Sequence, residues 1–170
     1  MATFGGGCFW GTEAAFKKVK GVTDTKVGYM GGTFDDPSYE DVIRHGTGHA
    51  EVVQVAFDPA LVTYEQLLDL FWFIHDPTQL NRQGNDVGDQ YRSVIFTYSD
   101  EQQQAAEASR QSLADSGKYD KPIVTQVEPA KRFWTAEEYH QEYLDKNPGG
   151  YCHVNLHDVD RYLTERHLMK

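Results

Sequence analysis

A cysteine behind three glycines is the residue in this sequence best placed for nucleophilic chemistry. Gly5-Gly6-Gly7 lead into Cys8, and Phe9, Trp10 and Gly11 follow. Glycines let a backbone approach a ligand closely. The pattern from Phe9 to Val19 is helical, with Phe9, Ala15, Phe16 and Val19 as the inner stripe and Gly21 as its end. Cys8 therefore falls at or near the first turn, where unsatisfied N–H groups and the helix dipole favour an anion. Such a position lowers a thiol pKa from ~8.5 into the range ~3.5–7.5, which makes Cys8 a candidate nucleophile. The competing reading is a small buried cysteine in a Gly-rich turn. Phe9 and Trp10, adjacent on one helix, cannot both face a single core, which leaves one free to line a pocket beside Cys8; simple packing of both is the alternative.

Three further regions carry polar chemistry. The alternation from His49 to Phe57 predicts a strand on which Glu51 shares a face with Val53, Val55 and Phe57. A carboxyl group on a buried face is desolvated, its pKa rises, and a protonated carboxyl near neutral pH can donate to a substrate oxygen. A strand-end carboxylate reaching solvent is the other reading. Gly84 to Arg92 crowds polar residues and glycines into a long loop, with Asp86 and Tyr91 as candidate hydrogen-bonding anchors, although Asn, Asp and Gly dominate turns anyway. Asn147 to His153 is a Pro- and Gly-rich loop carrying Cys152. A mobile second cysteine suits a resolving thiol that attacks an oxidised first one; an incidental surface thiol is the alternative. Cys152, His153 and His157, or His45 and His49, do not reach a four-ligand zinc spacing.

These residues need elements to position them. A short strand around Phe4 precedes the glycines. Strands are expected at Val22–Tyr29, His49–Phe57, Tyr91–Tyr98 and Ile123–Val127, with one helical turn near Tyr39–Ile43. Thr63 with Gln66, Ser99 with Gln102 and Thr135 with Glu138 have capping-box spacing and predict helices; the third is expected to run to about Lys146. A last helix is expected over Asp158–Leu168. Strands and helices alternate without a regular βαβ repeat, which predicts an α+β fold, helices packed on a mixed sheet. No internal repeat or low-complexity segment is present. The connection from Pro77 to Gln90 is long for a compact domain, and loops of that length are often functional.

Composition narrows the function. The 170 residues include 16 Lys and Arg against 26 Asp and Glu, a formal charge of −10. That balance argues against nucleic acid and anionic membrane surfaces, both of which want clustered cations. The longest apolar run, Leu70 to Ile74, is far too short to span a membrane. Met1 to Gly7 lacks the charged start and apolar run of a signal peptide. One domain over residues 1–170, in a cytoplasmic protein, is the expectation, and in a reducing compartment two cysteines are more often catalytic or metal-binding than structural.

Together these segments resemble the peptide methionine sulfoxide reductases of the A type. Gly7-Cys8-Phe9-Trp10-Gly11 with Glu13, then Gly48-His49-Ala50-Glu51, then His75-Asp76-Pro77-Thr78 and Arg82-Gln83-Gly84-Asn85-Asp86 running to Tyr91-Arg92-Ser93, and finally Gly150-Tyr151-Cys152-His153 match that family's motifs in order. The similarity covers about Thr3 to Leu156. It implies an α+β two-layer sandwich with a ferredoxin-like core. It implies Cys8 as attacking thiolate, Glu51 as proton donor, Tyr39 and Tyr91 as hydrogen bonds to the sulfoxide oxygen, and Asp86 as organiser beneath them. Phe9 and Trp10 would hold the substrate methyl group, and Cys152 would be the resolving cysteine. The implied activity is reduction of methionine S-sulfoxide, free or in proteins, with thioredoxin as reductant, no metal or bound organic cofactor, and a monomeric enzyme. The chain starts almost at the motif and has one C-terminal cysteine where some members have two, so one disulfide step, Cys8 with Cys152, is implied. A cysteine hydrolase pairing Cys8 with His49 and a non-catalytic acidic interaction domain are the alternatives.

Overall fold

A computed structural model describes residues 1–44 and 46–170. His45 of the candidate His45–His49 pair lies outside the described residues. The elements in chain order are β1 (Ala2–Gly5), α1 (Phe9–Lys17), β2 (Val22–Met30), α2 (Tyr39–Ile43), β3 (Ala50–Phe57), α3 (Tyr64–Ile74), β4 (Arg82–Gln83), β5 (Asp86–Val87), β6 (Val94–Thr97), α4 (Asp100–Asp115), β7 (Gln126–Pro129), β8 (Trp134–Thr135), α5 (Tyr143–Lys146) and α6 (Leu156–Glu165). The main sheet has the order β7-β6-β1-β3-β2-β8. Among the described residues of this sheet only the β6–β7 pair is parallel; β1–β3, β1–β6, β2–β3 and β2–β8 are antiparallel. The run β1-α1-β2-β3-α3-β6 with central order β6-β1-β3-β2 is the ferredoxin-like core that the resemblance implied, and the fold class is α+β.

Local chemistry explains the regular parts. At α3, Thr63 Oγ1 accepts from Gln66 N at 3.0 Å and Gln66 Oε1 accepts from Thr63 N at 2.9 Å, so two donors that a helix start leaves free are satisfied reciprocally. Leu67, Leu68, Phe71 and Ile74 then face the sheet, and Pro77 follows the end. Along β3 the period of two divides the side chains: Val53 and Val55 meet Phe4, Phe16 and Phe71 under the helices, while Ala50 and Val52 join Met30, Val94 and Phe96 on the opposite face, covered by Phe133. Glu51 shares the first of these faces, opposite Tyr29 in β2. Phe4 stacks between Phe16 and Phe71, with centroids 5.0 and 5.1 Å away.

Four expectations need correction. The strand predicted from Tyr91 begins at Val94, because Asp89–Tyr91 close a 3-10 turn after Gly88, whose φ of 144° favours glycine. The strand predicted over Ile123–Val127 lies at Gln126–Pro129, where β6 offers its edge. Ser99 accepts from Gln102 N, but the Gln102 side chain caps Tyr98 N instead of returning to Ser99. The helix expected from Thr135 to Lys146 does not form. Thr135 pairs with Gly28 as part of β8, Glu138–His140 make a 3-10 turn, and Glu142 turns left-handed at φ 52° before the short α5. The side chain of Gln141 bonds both the N–H and the C=O of Val27, at 2.9 and 2.8 Å, so a side-chain amide continues the sheet edge where a helix was expected.

Phe71 anchors the first face beneath the glycine turn: a Cβ on Gly6 would stand 3.1 Å from its ring. Phe71→Ala should lower unfolding free energy by about 3–5 kcal/mol, read from the urea midpoint. A loss below ~1 kcal/mol would show that the core does not rest on this ring.

Candidate active site

The glycine turn ends where α1 begins, and Cys8 is the residue immediately before its first helical position, in an extended conformation. Its side chain makes no capping bond to the helix. The first N–H of the helix, that of Phe9, donates instead to Glu51 Oε1 at 3.3 Å, and that of Trp10 lowers the Cys8 pKa in part. The helix start thus bonds a carboxyl group and sets a thiol beside it. Both are buried: Cys8 is 8% exposed and Glu51 1%.

Burial decides their protonation. Desolvation pushes the Glu51 carboxyl up to about 8, against the Phe9 N–H, which favours the charged form. The Cys8 thiol also moves up, chiefly through burial and then through the negative charge Glu51 would carry; the Trp10 N–H opposes this without overcoming it. Burial and the neighbouring acid thus work against the thiolate that the helix terminus favours, and outweigh it. At neutral pH the pair holds its protons. Glu51 Oε2 is buried and has no hydrogen-bond partner among the described residues.

The remaining predicted residues gather around this pair from distant parts of the chain. Tyr39 opens α2 and Tyr91 closes the 3-10 turn before β6; their hydroxyls neighbour each other, and burial followed by the Glu51 charge raises both phenol pKa values. The Tyr91 carbonyl accepts from Gly7 N at 3.3 Å, which ties that turn to the cysteine loop. Asp86, in the β4–β5 hairpin, accepts from the Tyr151 hydroxyl at 2.9 Å. Phe9 is buried between Tyr29 and His140, at centroid distances of 5.8 and 5.1 Å, and Trp10 lies half-buried under Tyr143, stacked at 3.7 Å. Cys152 is a free, half-buried thiol whose sulfur donates to Val154 O at 3.1 Å.

Sequence reasoning assigned no role to a second ring of residues, most of them in the segment that fails to become a helix. His140 is buried against Phe9, Trp10 and Tyr39, and its Nδ1 accepts from Trp10 Nε1 at 3.0 Å. An indole N–H only donates, so Nδ1 carries no proton; burial lowers the ring pKa and keeps it neutral. Glu137 accepts from the Tyr29 hydroxyl and from Tyr39 N, each at 3.0 Å. Burial pushes its pKa up, but these donors outweigh that and hold it below the usual carboxylate range. Glu13, buried on α1, accepts from Thr25 at 2.8 Å and from Glu142 N at 2.7 Å, fastening the start of α5 to the cysteine helix. No spacing signal in the sequence announces His140 or Glu137, and Glu13 enters the sequence reading only as part of the cysteine motif; the folded contacts show what each does.

The geometry bears on the alternatives. Both ring nitrogens of His49 are engaged by its own loop, Nδ1 with Gly32 N at 3.0 Å and Nε2 with Phe34 O at 2.6 Å, so it is not poised as a base for Cys8. Among the described residues, no three His, Cys, Asp or Glu side chains group as metal ligands. A cavity of about 310 Å³ between α3 and α6, lined by residues including Asp69, Trp72, Tyr162 and Arg166, contains none of the buried acid cluster. Chemistry rather than volume locates the site.

A buried acid has a stability signature. The native chain keeps the Glu51 proton up to about pH 8, whereas an unfolded glutamate releases it near ~4.3. Between these values the native state binds more protons, so stability falls as pH rises. Glu51→Gln should gain on the wild type across this window by an amount on the order of a few kcal/mol, read from urea midpoints at pH 5 and 8. Parallel curves would contradict a protonated Glu51.

Comparison with known proteins agrees with this geometry. The family described as peptide methionine sulfoxide reductase matches residues 1–170. The chain is 63% identical over 153 residues to "Peptide methionine sulfoxide reductase MsrA" of Methanothermobacter thermautotrophicus, covering 90% of each chain. It superimposes on the reduced form of Mxr1 from Saccharomyces cerevisiae with a TM-score of 0.84 and 41% identity, covering 91% of this chain and 90% of that one. Mxr1 in complex with Trx2 matches with a TM-score of 0.57 and 32% identity, over 84% and 82% of the two chains. With the motifs, the fold and these matches in agreement, the chain belongs to the peptide methionine sulfoxide reductases of the A type.

Proposed function

We propose that the chain reduces methionine S-sulfoxide, free or in proteins, through a sulfenic acid on Cys8 and a Cys8–Cys152 disulfide that thioredoxin recycles. What supports this mechanism is the burial of Glu51 beside Cys8 at one helix terminus, which pushes its carboxyl up to about 8. A sulfoxide sulfur becomes electrophilic when its oxygen receives a proton or strong hydrogen bonds. Glu51 supplies the proton, its Oε2 finding in the sulfoxide oxygen the partner it otherwise lacks. The hydroxyls of Tyr39 and Tyr91 share that oxygen. Phe9 and Trp10, with Trp10 fixed by His140 and Tyr143, receive the methyl group. Asp86 holds the near wall through Tyr151.

The proton count closes. As Glu51 protonates the oxygen, it becomes a carboxylate beside the Cys8 thiol and takes the thiol proton. The sulfur attacks, the oxygen with its proton passes to Cys8, and methionine leaves: a thiol and a sulfoxide become a sulfenic acid and a thioether. One proton is handed round a site in which two adjacent buried anions would be costly. Cys152 then condenses with the sulfenic acid, water leaves, and a dithiol reduces the disulfide. Recycling by thioredoxin draws support from the Mxr1–Trx2 complex. We place the reaction in the cytoplasm, in a monomer whose residues 1–170 act as one domain without metal or organic cofactor.

Reduced protein mixed with methionine S-sulfoxide and no reductant should yield about one methionine per chain and lose both thiols. Cys8→Ser should yield none, and Cys152→Ser should yield the first methionine but no thioredoxin-driven turnover. Unchanged thioredoxin turnover in Cys152→Ser would remove the disulfide step. Glu51→Gln should slow the first methionine by roughly 10²–10⁴-fold, and wild-type rates should fall as pH rises through about 8, where Glu51 loses its proton. An unaltered single-turnover rate in the variant would remove Glu51 as the acid.

A further inference from the structure

His153 follows Cys152 and has no part in the scheme above. Its Nε2 lies 2.9 Å from Gly6 O. A carbonyl only accepts, so Nε2 carries the ring proton and, in the neutral ring, Nδ1 presents a bare lone pair. Burial lowers the ring pKa and keeps it neutral. Nδ1 is buried and has no hydrogen-bond partner among the described residues. The ring is held against two glycines that bracket Cys8. A Cβ on Gly7 would stand 2.9 Å from Nε2, and a Cβ on Gly11 would stand 3.2 Å from Nδ1 and 3.0 Å from the Cys152 sulfur. Sulfur and lone pair thus lean on the same face of α1, one turn beyond the reactive cysteine. At rest the Cys152 thiol donates a hydrogen bond to Val154 O, a contact it must surrender to attack Cys8.

We infer that His153 serves the second half-reaction: it docks Cys152 on α1 and accepts the thiol proton at Nδ1 while the disulfide forms. This rests on Cys152 being the resolving thiol. The Cys152 sulfur attacks the sulfenic sulfur of Cys8, the S–S bond forms and the S–O bond breaks. Cys152 is oxidised and Cys8 reduced by the same electron pair. The departing hydroxide takes a proton from Glu51 and leaves as water, and the imidazolium proton passes on to restore that carboxyl. Burial raises the Cys152 thiol and lowers the His153 ring, so a free ion pair is unfavourable and the proton moves only as the S–S bond forms. The titratable groups facing the ring are Asp86 of the β4–β5 hairpin, His75 at the end of α3, and Cys152.

The test follows one turnover of the reduced full chain with methionine S-sulfoxide by rapid quench. It measures methionine, free thiols and Cys8 sulfenic acid trapped by a cyclic 1,3-diketone. His153→Asn keeps a donor for Gly6 O and removes the basic lone pair. Its ratio of thiol-loss rate to methionine-formation rate should fall at least about tenfold at pH 7, with sulfenic acid accumulating and the ratio recovering as pH rises and Cys152 ionises unaided. A wild-type ratio in His153→Asn, while Cys152→Ser accumulates sulfenic acid, overturns the role of His153 and leaves Cys152 in place. No sulfenic acid in Cys152→Ser overturns the resolving role itself, and this inference with it. If His153→Asn does not fold, Gly11→Ala carries the test, because its methyl group presses on both atoms; a wild-type ratio there overturns the docking.

Discussion

The N-terminal turn of α1 has N–H groups without a partner in the helix and two buried acids beside them. Phe9 N–H bonds the Glu51 carboxyl, and the Trp10 N–H favours a charged Cys8 sulfur. In water both acids would settle their protonation independently. In this enclosure desolvation raises both pKa values, the Glu51 charge raises that of Cys8 further and the Asp86 charge that of Glu51, so the neutral forms are favoured. Such a site stores a proton beside the nucleophile rather than a negative charge on it. The cost is a carboxyl group in the core, which the surrounding sheet and helices must overcome.

That enclosure is built by parts of the chain that have little secondary structure of their own. Residues 134–154 run along the edge of the sheet and over the end of α1, and their shape is set by side-chain bonds to fixed elements. Glu137 meets Tyr29 and Tyr39, His140 meets Trp10, Gln141 meets Val27, Tyr143 stacks on Trp10, and Tyr151 reaches Asp86. Each bond joins residues far apart in the chain, so the segment holds its path only when β2 and α1 are already in place. The same segment carries Cys152 toward α1, where Gly11 leaves room for it. The wall of the first reaction and the arm of the second are thus one piece of chain.

How much of this could be read beforehand depends on the range of the interactions. The α3 capping box, the alternation in β3 and the glycine turn before Cys8 are local, and the sequence displays them directly. Glu51 was legible as a buried acid because its strand neighbours Val53 and Val55 are apolar. The direction of the Cys8 shift was not, since a helix dipole acts within one turn whereas burial and the Glu51 charge arrive from β3. Thr135 with Glu138 has the spacing of a helix start, yet pairing with Gly28 and the Gln141 contact to Val27 win. Tyr39 entered only through resemblance, and His140 and Glu137 not at all, because their partners lie about a hundred residues away.

The central claim is that Glu51 is a neutral carboxylic acid beside Cys8 at neutral pH. Infrared difference spectroscopy of the reduced protein, with Glu51→Gln as the reference, observes it directly. The account predicts a buried C=O stretch of a protonated carboxyl at pH 6 that titrates away with a midpoint near about 8 and is absent from the variant. A carboxylate band already complete at pH 6, with no protonated band lost on substitution, would contradict it.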